Sequence, residues 1–308
     1  MQSRVRKKEK QEKLERNRNR KLKKEKRIEK FKKEKRKLLI ALLILIILFL
    51  IYSILFEPKL LKINEIPIKT NEISSNFHGI KILHFSDLHY GTSINKSNIN
   101  KLIDKINSTE PDIIIFTGDL IDSNYNMTKE DIRILTDAFK NINYNLGKYA
   151  VLGDHDYNNK DYSNIMYDSD FIVLKNSFDT IYNKDNSPIL IYGLDNITYG
   201  KPSMENMNND KINKIQYKIL IMHETDYITK LDLDDIDLIL AGHNMGGTIK
   251  LFGKQIFTKD NSKIYFKDHY KINDTNMYIS NGTGTNKVPI RFMNIPSINL
   301  YRLIKTES

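Results

Sequence analysis

The apolar positions form one long uninterrupted stretch near the N-terminus and shorter clusters after it. Residues 38–56 contain no charged side chain. As a helix they would span roughly 28 Å, close to the about 30 Å of a bilayer's hydrocarbon core. A buried core helix would keep a polar stripe, and this stretch has none. It is also too long for a cleaved signal peptide, and residues 53–58 lack a small-residue cleavage site. The pattern predicts one transmembrane helix over residues 38–56.

Strand and helix patterns take turns through the rest of the chain. Short runs rich in Ile, Leu and Val predict buried strands that end at Phe85, Phe116, Leu152, Ile221 and Leu240, with others over residues 171–174, 189–192 and 298–303. Helical spacing over residues 99–106 and 132–142 predicts helices, the second with Thr128 and Asp131 as a capping pair. Alternation over residues 60–68 predicts one more strand. The order predicts an α/β fold, a two-sheet β-sandwich flanked by helices and preceded by the transmembrane helix.

The charge of the chain is concentrated at its N-terminus. The net charge is +11, but residues 1–37 hold 20 Lys/Arg and 6 Glu, which leaves −3 for residues 38–308. Basic residues stay on the cytoplasmic side of a membrane, so we expect residues 1–37 to form a cytoplasmic tail that also contacts lipid headgroups. A nucleic-acid-binding domain normally has a basic surface, whereas residues 38–308 are slightly acidic. No nucleic-acid partner is therefore expected. With no cysteine in the sequence, disulfides and thiolate chemistry are excluded.

Acidic and imidazole side chains cluster at the ends of the predicted strands. The clusters are Asp87-Leu88-His89, Gly118-Asp119 with Asp122, Gly153-Asp154-His155-Asp156, His223, and Gly242-His243. One such cluster means little, since aspartates crowd turns for backbone reasons. Several clusters carry weight, because parallel strands share one C-terminal edge at which distant residues converge. Carboxylate and imidazole together suit Zn, Mn or Fe.

Taken in this order, the motifs resemble the calcineurin-like metallophosphoesterases. The N-terminal span and the segments 278–285 and 289–292 are similar to the membrane-anchored bacterial branch of that family. The resemblance implies a phosphoesterase domain over residues 77–308, joined to the span by a connector over residues 57–76. It also implies two divalent metal ions, such as Mn, Zn or Fe, that share one aspartate.

The resemblance assigns roles residue by residue. The first metal would be held by Asp87, His89 and Asp119, and the second by Asp119, Asp154, His223 and His243. His155 would be the catalytic residue beside the leaving-group oxygen. Asp122 and Asp156 would orient their neighbours. His78, His84 and His269 are interpreted as structural or ordinary loop histidines; for His269 the alternative is that it replaces the missing ligand.

Two positions depart from the family pattern. Asp154 stands where the family has Asn, and Met245 where it has His. A thioether is a poor ligand for hard divalent ions, so only one metal is expected if the first site is too weak. Asp154 adds negative charge and removes an amide N–H donor, which reduces the attraction for an anionic phosphate. Three alternatives follow: a working enzyme with two metal ions, a slower enzyme with one metal ion, and a metal-binding relic.

The functional hypothesis is a membrane-anchored, metal-dependent phosphoesterase with an extracytoplasmic catalytic domain. It would hydrolyse phosphodiester or pyrophosphate bonds, including those of lipid-like substrates, by metal-activated water. The alternative is a catalytically impaired relic that acts as a surface binding or scaffold protein, because folds outlast the sites they carry. A third hypothesis is a protein that binds nucleic acid through its basic tail. The slightly acidic charge of the remaining chain argues against it.

Overall fold

The computed structural model of this chain describes residues 2–207 and 210–307. They form two compact units, Met1–Tyr52 and Ser53–Ser308. The first unit is a single helix, α1 (Gln2–Ile51), whose apolar side chains from Leu38 onward are exposed. Of the described residues, only this N-terminal helical segment is long and apolar enough to cross a membrane. The predicted N-terminal apolar helix is thus confirmed, while its orientation stays a prediction.

The second unit consists of strands and shorter helices. Its strands, within the described residues, are β1 (Lys62–Thr70), β2 (Lys81–Phe85), β3 (Ile113–Phe116), β4 (Gly147–Ala150), β5 (Ile172–Val173), β6 (Ser177–Ile181), β7 (Ile189–Gly193), β8 (Tyr217–Met222), β9 (Leu238–Ala241), β10 (Lys250–Leu251), β11 (Lys254–Gln255), β12 (His269–Ile272), β13 (Thr275–Ile279) and β14 (Ser297–Lys305). Its helices are α2 (Ile99–Asn107), α3 (Lys129–Lys140), α4 (Lys160–Asp168) and α5 (Asp210–Asn213).

Two six-stranded sheets contain twelve of these strands. The first sheet has the order β1-β14-β2-β3-β4-β5, and the second has the order β12-β13-β9-β8-β7-β6. Strands β2 to β5 run parallel to one another, as do β7, β8, β9 and β13. The remaining pair, β10 and β11, forms a small hairpin. Each sheet therefore offers one edge where several parallel strands end together.

Alternation along the strands builds three apolar layers. In β3, Ile113 and Ile115 face the layer between the sheets, whereas Ile114 and Phe116 face helices α2, α3 and α4. In β8, Ile221 faces the same central layer, and its neighbours turn to the outer face of the second sheet. Successive strand side chains point to opposite faces, so continuous apolar runs are what strands buried on both faces require. The predicted α/β fold with two sheets and flanking helices is confirmed.

The element boundaries follow the sequence prediction in most places. Strands β2 and β3 end at the predicted Phe85 and Phe116, and the capping pair Thr128 and Asp131 begins α3 with both reciprocal hydrogen bonds. The predicted connector contains β1, which pairs along its whole length with β14. The domain boundaries at residues 37, 56 and 76 stay predictions.

Candidate metal centre

The predicted site residues lie directly after parallel strands of both sheets. Asp87 and His89 follow β2, Asp119 follows β3, Asp154 and His155 follow β4, His223 follows β8, and His243 follows β9. Because β2, β3 and β4 are neighbours in one sheet and β8 and β9 in the other, side chains more than 150 positions apart meet at the strand ends. Their role as metal ligands stays a prediction.

Four of these side chains form a compact group. The ligand atoms of Asp119, Asp154, His223 and His243 all lie within 4.8 Å of one another. Nε2 of His223 is 3.4 Å from Oδ2 of Asp119 and 3.2 Å from Oδ1 of Asp154. Nδ1 of His243 is 3.2 Å from the same Asp154 oxygen. The buried Oδ2 of Asp119 has no hydrogen-bond partner among the described residues. Two carboxylates and two imidazole nitrogens fit a divalent ion such as Zn or Mn.

The other predicted group is less complete. Nε2 of His89 lies 3.5 Å from Oδ2 of Asp119 and 3.9 Å from Oδ1 of Asp87. The ligand atoms that are mutually close here belong to His89, Asp119 and His155, without Asp87. Met245, on the loop after β9, is fully buried. The predicted first metal position, at Asp87, His89 and Asp119, therefore offers fewer converging ligands than the four-residue group.

The outer nitrogens of the two histidines in the four-residue group are occupied. Nδ1 of His223 lies 2.5 Å from the carbonyl oxygen of Thr117, and Nε2 of His243 lies 2.7 Å from that of Asp260. A carbonyl oxygen only accepts, so each of these nitrogens carries the proton. Nε2 of His223 and Nδ1 of His243 are then left unprotonated in the neutral rings, as metal coordination requires.

The backbone at the site is held in an unfavourable conformation. Asp87, His89, Asp119 and His243 have φ angles of 51°, 43°, 60° and 68°. Non-glycine residues rarely adopt this left-handed region, and such positions concentrate at functional sites. The strand-end loops are thus shaped to aim these four side chains, at a cost that packing elsewhere must offset.

Asp156 organises two of the loops. Its Oδ2 accepts hydrogen bonds from the backbone N–H groups of Asp119 (2.7 Å) and Gly153 (2.9 Å), and its Oδ1 accepts one from Leu120 (2.9 Å). The loop after β3 and the loop after β4 are thereby tied to one buried carboxylate. A Cβ on Gly153 would collide with the Asp119 carboxylate and come 2.5 Å from its backbone nitrogen. The close approach of the two loops therefore requires glycine at this position.

Charge pairing shifts the protonation of the four-residue group. Burial opposes a charge on Asp119 and on Asp154, yet contacts with His223 hold the pKa of both carboxyl groups well below the usual range, and His243 assists at Asp154. Burial also opposes a charge on His223, but Asp119 raises the pKa of the His223 ring above its ordinary value. The carboxylates thus attract positive charge strongly, and a divalent ion would take the place of the proton on Nε2 of His223.

His155 lines an open pocket together with Asp154 and His243 of the four-residue group. Its Nδ1 accepts a hydrogen bond of 3.0 Å from the backbone N–H of Ser123, so Nε2 carries the proton in the neutral ring. Nε2 is 3.8 Å from Oδ2 of Asp154 and 3.4 Å from the side-chain amide of Asn286. The ring stands edge-on to His89, with centroids 4.6 Å apart. A proton donor at this position faces the open side of the candidate metal group.

The remaining predicted positions have distinct surroundings. Oδ2 of Asp122 lies 3.6 Å from Nδ1 of His89 and accepts a hydrogen bond from the backbone of Lys287, so this residue contacts a predicted ligand. His84 is buried inside β2, with Nε2 2.8 Å from the Thr117 hydroxyl oxygen. His269 is exposed on β12 and stacks on Tyr278.

Sequence reasoning missed several residues that line the pocket. They are Thr198, Tyr199, Lys259, Asp260, Asn261 and Asn286. Lys259 reaches into the centre, with Nζ 3.8 Å from Oδ1 of Asp87. These residues lie in irregular segments, where no hydrophobic period or strand end marks them. Nothing local in the sequence indicates that Lys259 belongs to the site.

Comparison with known proteins decides the family. The sequence model of the calcineurin-like phosphoesterases matches residues 80–247, slightly more than half of the chain. The chain belongs to this family. As a calcineurin-like phosphoesterase it is related to phosphoric ester hydrolases that use divalent metals, and the match confirms the resemblance on which the residue assignments rest.

Known relatives of this phosphoesterase include bacterial and vertebrate proteins. It is 31% identical to the uncharacterized metallophosphoesterase YkuE of Bacillus subtilis, with 83% of this chain and 90% of that protein covered. It is 23% identical to a transmembrane protein with metallophosphoesterase domain of Danio rerio, with 78% of this chain and 57% of that protein covered. It is 32% identical to the UDP-2,3-diacylglucosamine pyrophosphatase LpxG of Chlamydia muridarum, with 35% of this chain and 32% of that protein covered.

Proposed function

We propose that this protein is a membrane-anchored, metal-dependent phosphoesterase whose catalytic domain works on the outer face of the cytoplasmic membrane. The observation that carries the proposal is the convergence of Asp119, Asp154, His223 and His243, in which the buried Oδ2 of Asp119 accepts no hydrogen bond from the described residues. A divalent ion held there supplies a Lewis acid that lowers the pKa of a water molecule and draws charge from phosphoryl oxygens.

The side chains around this group have separate tasks in hydrolysis. Nε2–H of His155 donates a proton to the oxygen that leaves phosphorus, which general acid catalysis requires. Lys259 and Asn286 line the same pocket and bind phosphoryl oxygens by hydrogen bonding. Asp122 and Asp156 hold the His89 ring and the Asp119 loop in place. Such a pocket suits phosphodiesters and pyrophosphates.

An amphiphilic substrate is supported by exposed aromatic side chains in the chain just before the pocket-lining segment 258–261. Phe257 directly precedes that segment and is 62% exposed, and Phe252, in the turn between β10 and β11, is 93% exposed. Exposed apolar side chains that are not accounted for by the fold indicate contact with a protein or a membrane. The chlamydial relative is named as a pyrophosphatase of a diacylated substrate. We therefore propose a lipid-like phosphodiester or pyrophosphate as the substrate class.

Turnover of an artificial substrate tests the proposed activity. Full-length protein in detergent micelles is stripped of metal and assayed on an aryl phosphodiester with and without Mn or Zn. We expect metal-dependent hydrolysis that is lost in Asp119→Asn and retained in Asp168→Asn, an exposed aspartate of α4. Absence of turnover with every metal tested, or equal turnover in Asp119→Asn, would contradict the proposal.

A paired comparison tests the substrate class. Phe252→Ser combined with Phe257→Ser is expected to slow hydrolysis of a lipid phosphodiester in vesicles and to leave hydrolysis of the soluble aryl diester unchanged. Tyr167→Ser removes an aromatic side chain that is 80% exposed on α4 and serves as the control. Equal rates on both substrates for all variants would exclude a role of these aromatic residues in lipid access.

The absence of cysteine from the sequence makes the proposed orientation measurable. Single-cysteine variants Arg18→Cys and Tyr167→Cys place one thiol on either side of the predicted span. In intact cells we expect a membrane-impermeant maleimide to label Tyr167→Cys and not Arg18→Cys. The reverse labelling pattern would show the opposite orientation.

The alternative of a non-catalytic surface protein keeps one observation in its favour. Met245 is fully buried at a position where the family has a ligand. If the site is a relic, Met245→His combined with Asp154→Asn should create activity that the unaltered protein lacks. If the unaltered protein hydrolyses the diester and His155→Ala abolishes this, the alternative is excluded.

A further inference from the structure

The ammonium group of Lys259 lies beside the predicted first metal position, that of Asp87, His89 and Asp119. Nζ of Lys259 is 3.8 Å from Oδ1 of Asp87, an oxygen that has no hydrogen-bond partner among the described residues. The other oxygen of Asp87 already accepts hydrogen bonds from the backbone N–H of His243 (3.0 Å) and the hydroxyl of Ser86 (2.5 Å). The free oxygen of Asp87 therefore faces a lysine.

The segment that carries Lys259 is fixed to the four-residue group. The carbonyl oxygen of Asp260 accepts a hydrogen bond from Nε2 of His243. The next carbonyl oxygen, that of Asn261, accepts bonds of 3.1 Å and 2.9 Å from the backbone of Thr225 and Asp226. The side chain of Lys259 is largely covered, at 24% exposure. The ammonium is thus held over the site by a braced loop.

We propose that the ammonium of Lys259 supplies the positive charge of the first metal position, so that this protein binds one divalent ion, at Asp119, Asp154, His223 and His243. The family's pattern of two metal ions does not fit the residues present. The first position keeps the imidazole of His89 but lacks the second histidine of the family pattern, which Met245 replaces. A second divalent ion there would also be repelled by Lys259 at close range.

Formal charges agree with this arrangement. Three of the predicted ligands are carboxylates, those of Asp87, Asp119 and Asp154. One divalent ion and one ammonium balance them, whereas two divalent ions and the ammonium would leave an excess of two positive charges. Met245 in place of the family's histidine and Lys259 beside Asp87 then belong together: the first removes a metal ligand and the second supplies the positive charge. If the proposed function holds, Lys259 also donates a hydrogen bond to a phosphoryl oxygen of the substrate.

Metal stoichiometry tests this inference without relying on turnover. Full-length protein in micelles is stripped with a chelator, equilibrated with Mn and desalted, and bound Mn is counted by mass spectrometry. Electron paramagnetic resonance then separates isolated Mn from coupled pairs. We expect one Mn per chain and an isolated-ion spectrum for the unaltered protein. Met245→His combined with Lys259→Met should bind two Mn ions and give a coupled spectrum.

A matched control isolates the lysine. Met245→His combined with Lys267→Met removes an exposed lysine instead, and we expect it to bind one Mn. Two Mn ions in the unaltered protein would overturn the inference, as would equal Mn counts in the two double variants.

A calorimetric titration of Lys259→Met alone replaces the count where the histidine variants fail to fold. We expect a second, weaker Mn binding event that the unaltered protein lacks. Equal isotherms for the two proteins would overturn the inference. Lack of turnover of the aryl phosphodiester would refute the proposed function. The Mn counts would still decide whether Lys259 takes the place of the first metal ion.

Discussion

Asp156→Asn is expected to loosen both loops that carry aspartates of the four-residue group. The carboxylate accepts three backbone hydrogen bonds, at 2.7, 2.9 and 2.9 Å. An amide has one accepting oxygen, so its NH2 group must face at least one backbone N–H that now has no partner. Burial and the nearby charge of Asp119 raise the pKa of Asp156 to about 7, so unfolding is measured above that pH, where the carboxyl group is charged. Loss of a buried hydrogen bond to a charged acceptor costs about 1.5–3 kcal/mol. We therefore expect the free energy of unfolding to fall by about 2–3 kcal/mol.

Asp156→Asn should also lower the affinity for metal. Groups that orient metal ligands typically change affinity by about 10- to 100-fold when they are altered. Asp156 aims Asp119 and also holds Gly153, the neighbour of Asp154. Urea unfolding and calorimetric titration with Mn measure the two effects on the full-length protein in micelles. Asp168→Asn on the exposed face of α4 is the control. The reasoning is refuted if both variants unfold alike and bind Mn alike.

Three further predictions concern single residues. Gly153→Ala places a Cβ against the carboxylate of Asp119 and should weaken Mn binding; an unchanged affinity would contradict the steric reasoning. His155→Ala should lower turnover about 10²- to 10⁴-fold with unchanged metal content, while His269→Ala should retain activity. Burial lowers the pKa of His84 to about 3, below the 6.5 of an unfolded chain. The unfolded state therefore takes up the proton first, and stability should fall as pH drops from about 6.5 towards 3, by about 1.4 kcal/mol per pH unit. Denaturation of His84→Gln at pH 6 and pH 4.5 should show a flatter dependence, and identical slopes would contradict the assignment.

The sequence predicts the fold well because its signals are local. Short apolar runs rich in β-branched residues, such as Ile113–Phe116, favour strands covered on both faces, and the Asp and His residues after them indicate the shared edge of a parallel sheet. The capping pair of Thr128 and Asp131 begins a helix through bonds within four residues. In each case the residues that determine the structure are neighbours in the chain.

The features that sequence reasoning missed depend on long-range contacts. The insertion of β14 between β1 and β2 joins segments more than 200 positions apart, and no local pattern indicates that pairing. The left-handed backbone at Asp87 and Asp119 occurs at residues other than glycine, so composition does not mark it. Lys259 comes from an irregular loop whose position depends on the His243 ring. The candidate site is thus predictable in its strand-end part and unpredictable in its loop part.

Anomalous diffraction at the Zn absorption edge, from crystals of the full-length protein grown with Zn, locates the bound metal and counts it. We predict one strong peak per chain, about 2 Å from ligand atoms of Asp119, Asp154, His223 and His243. A structure in which Zn is absent from these four side chains, or in which they point away from one another, would contradict it.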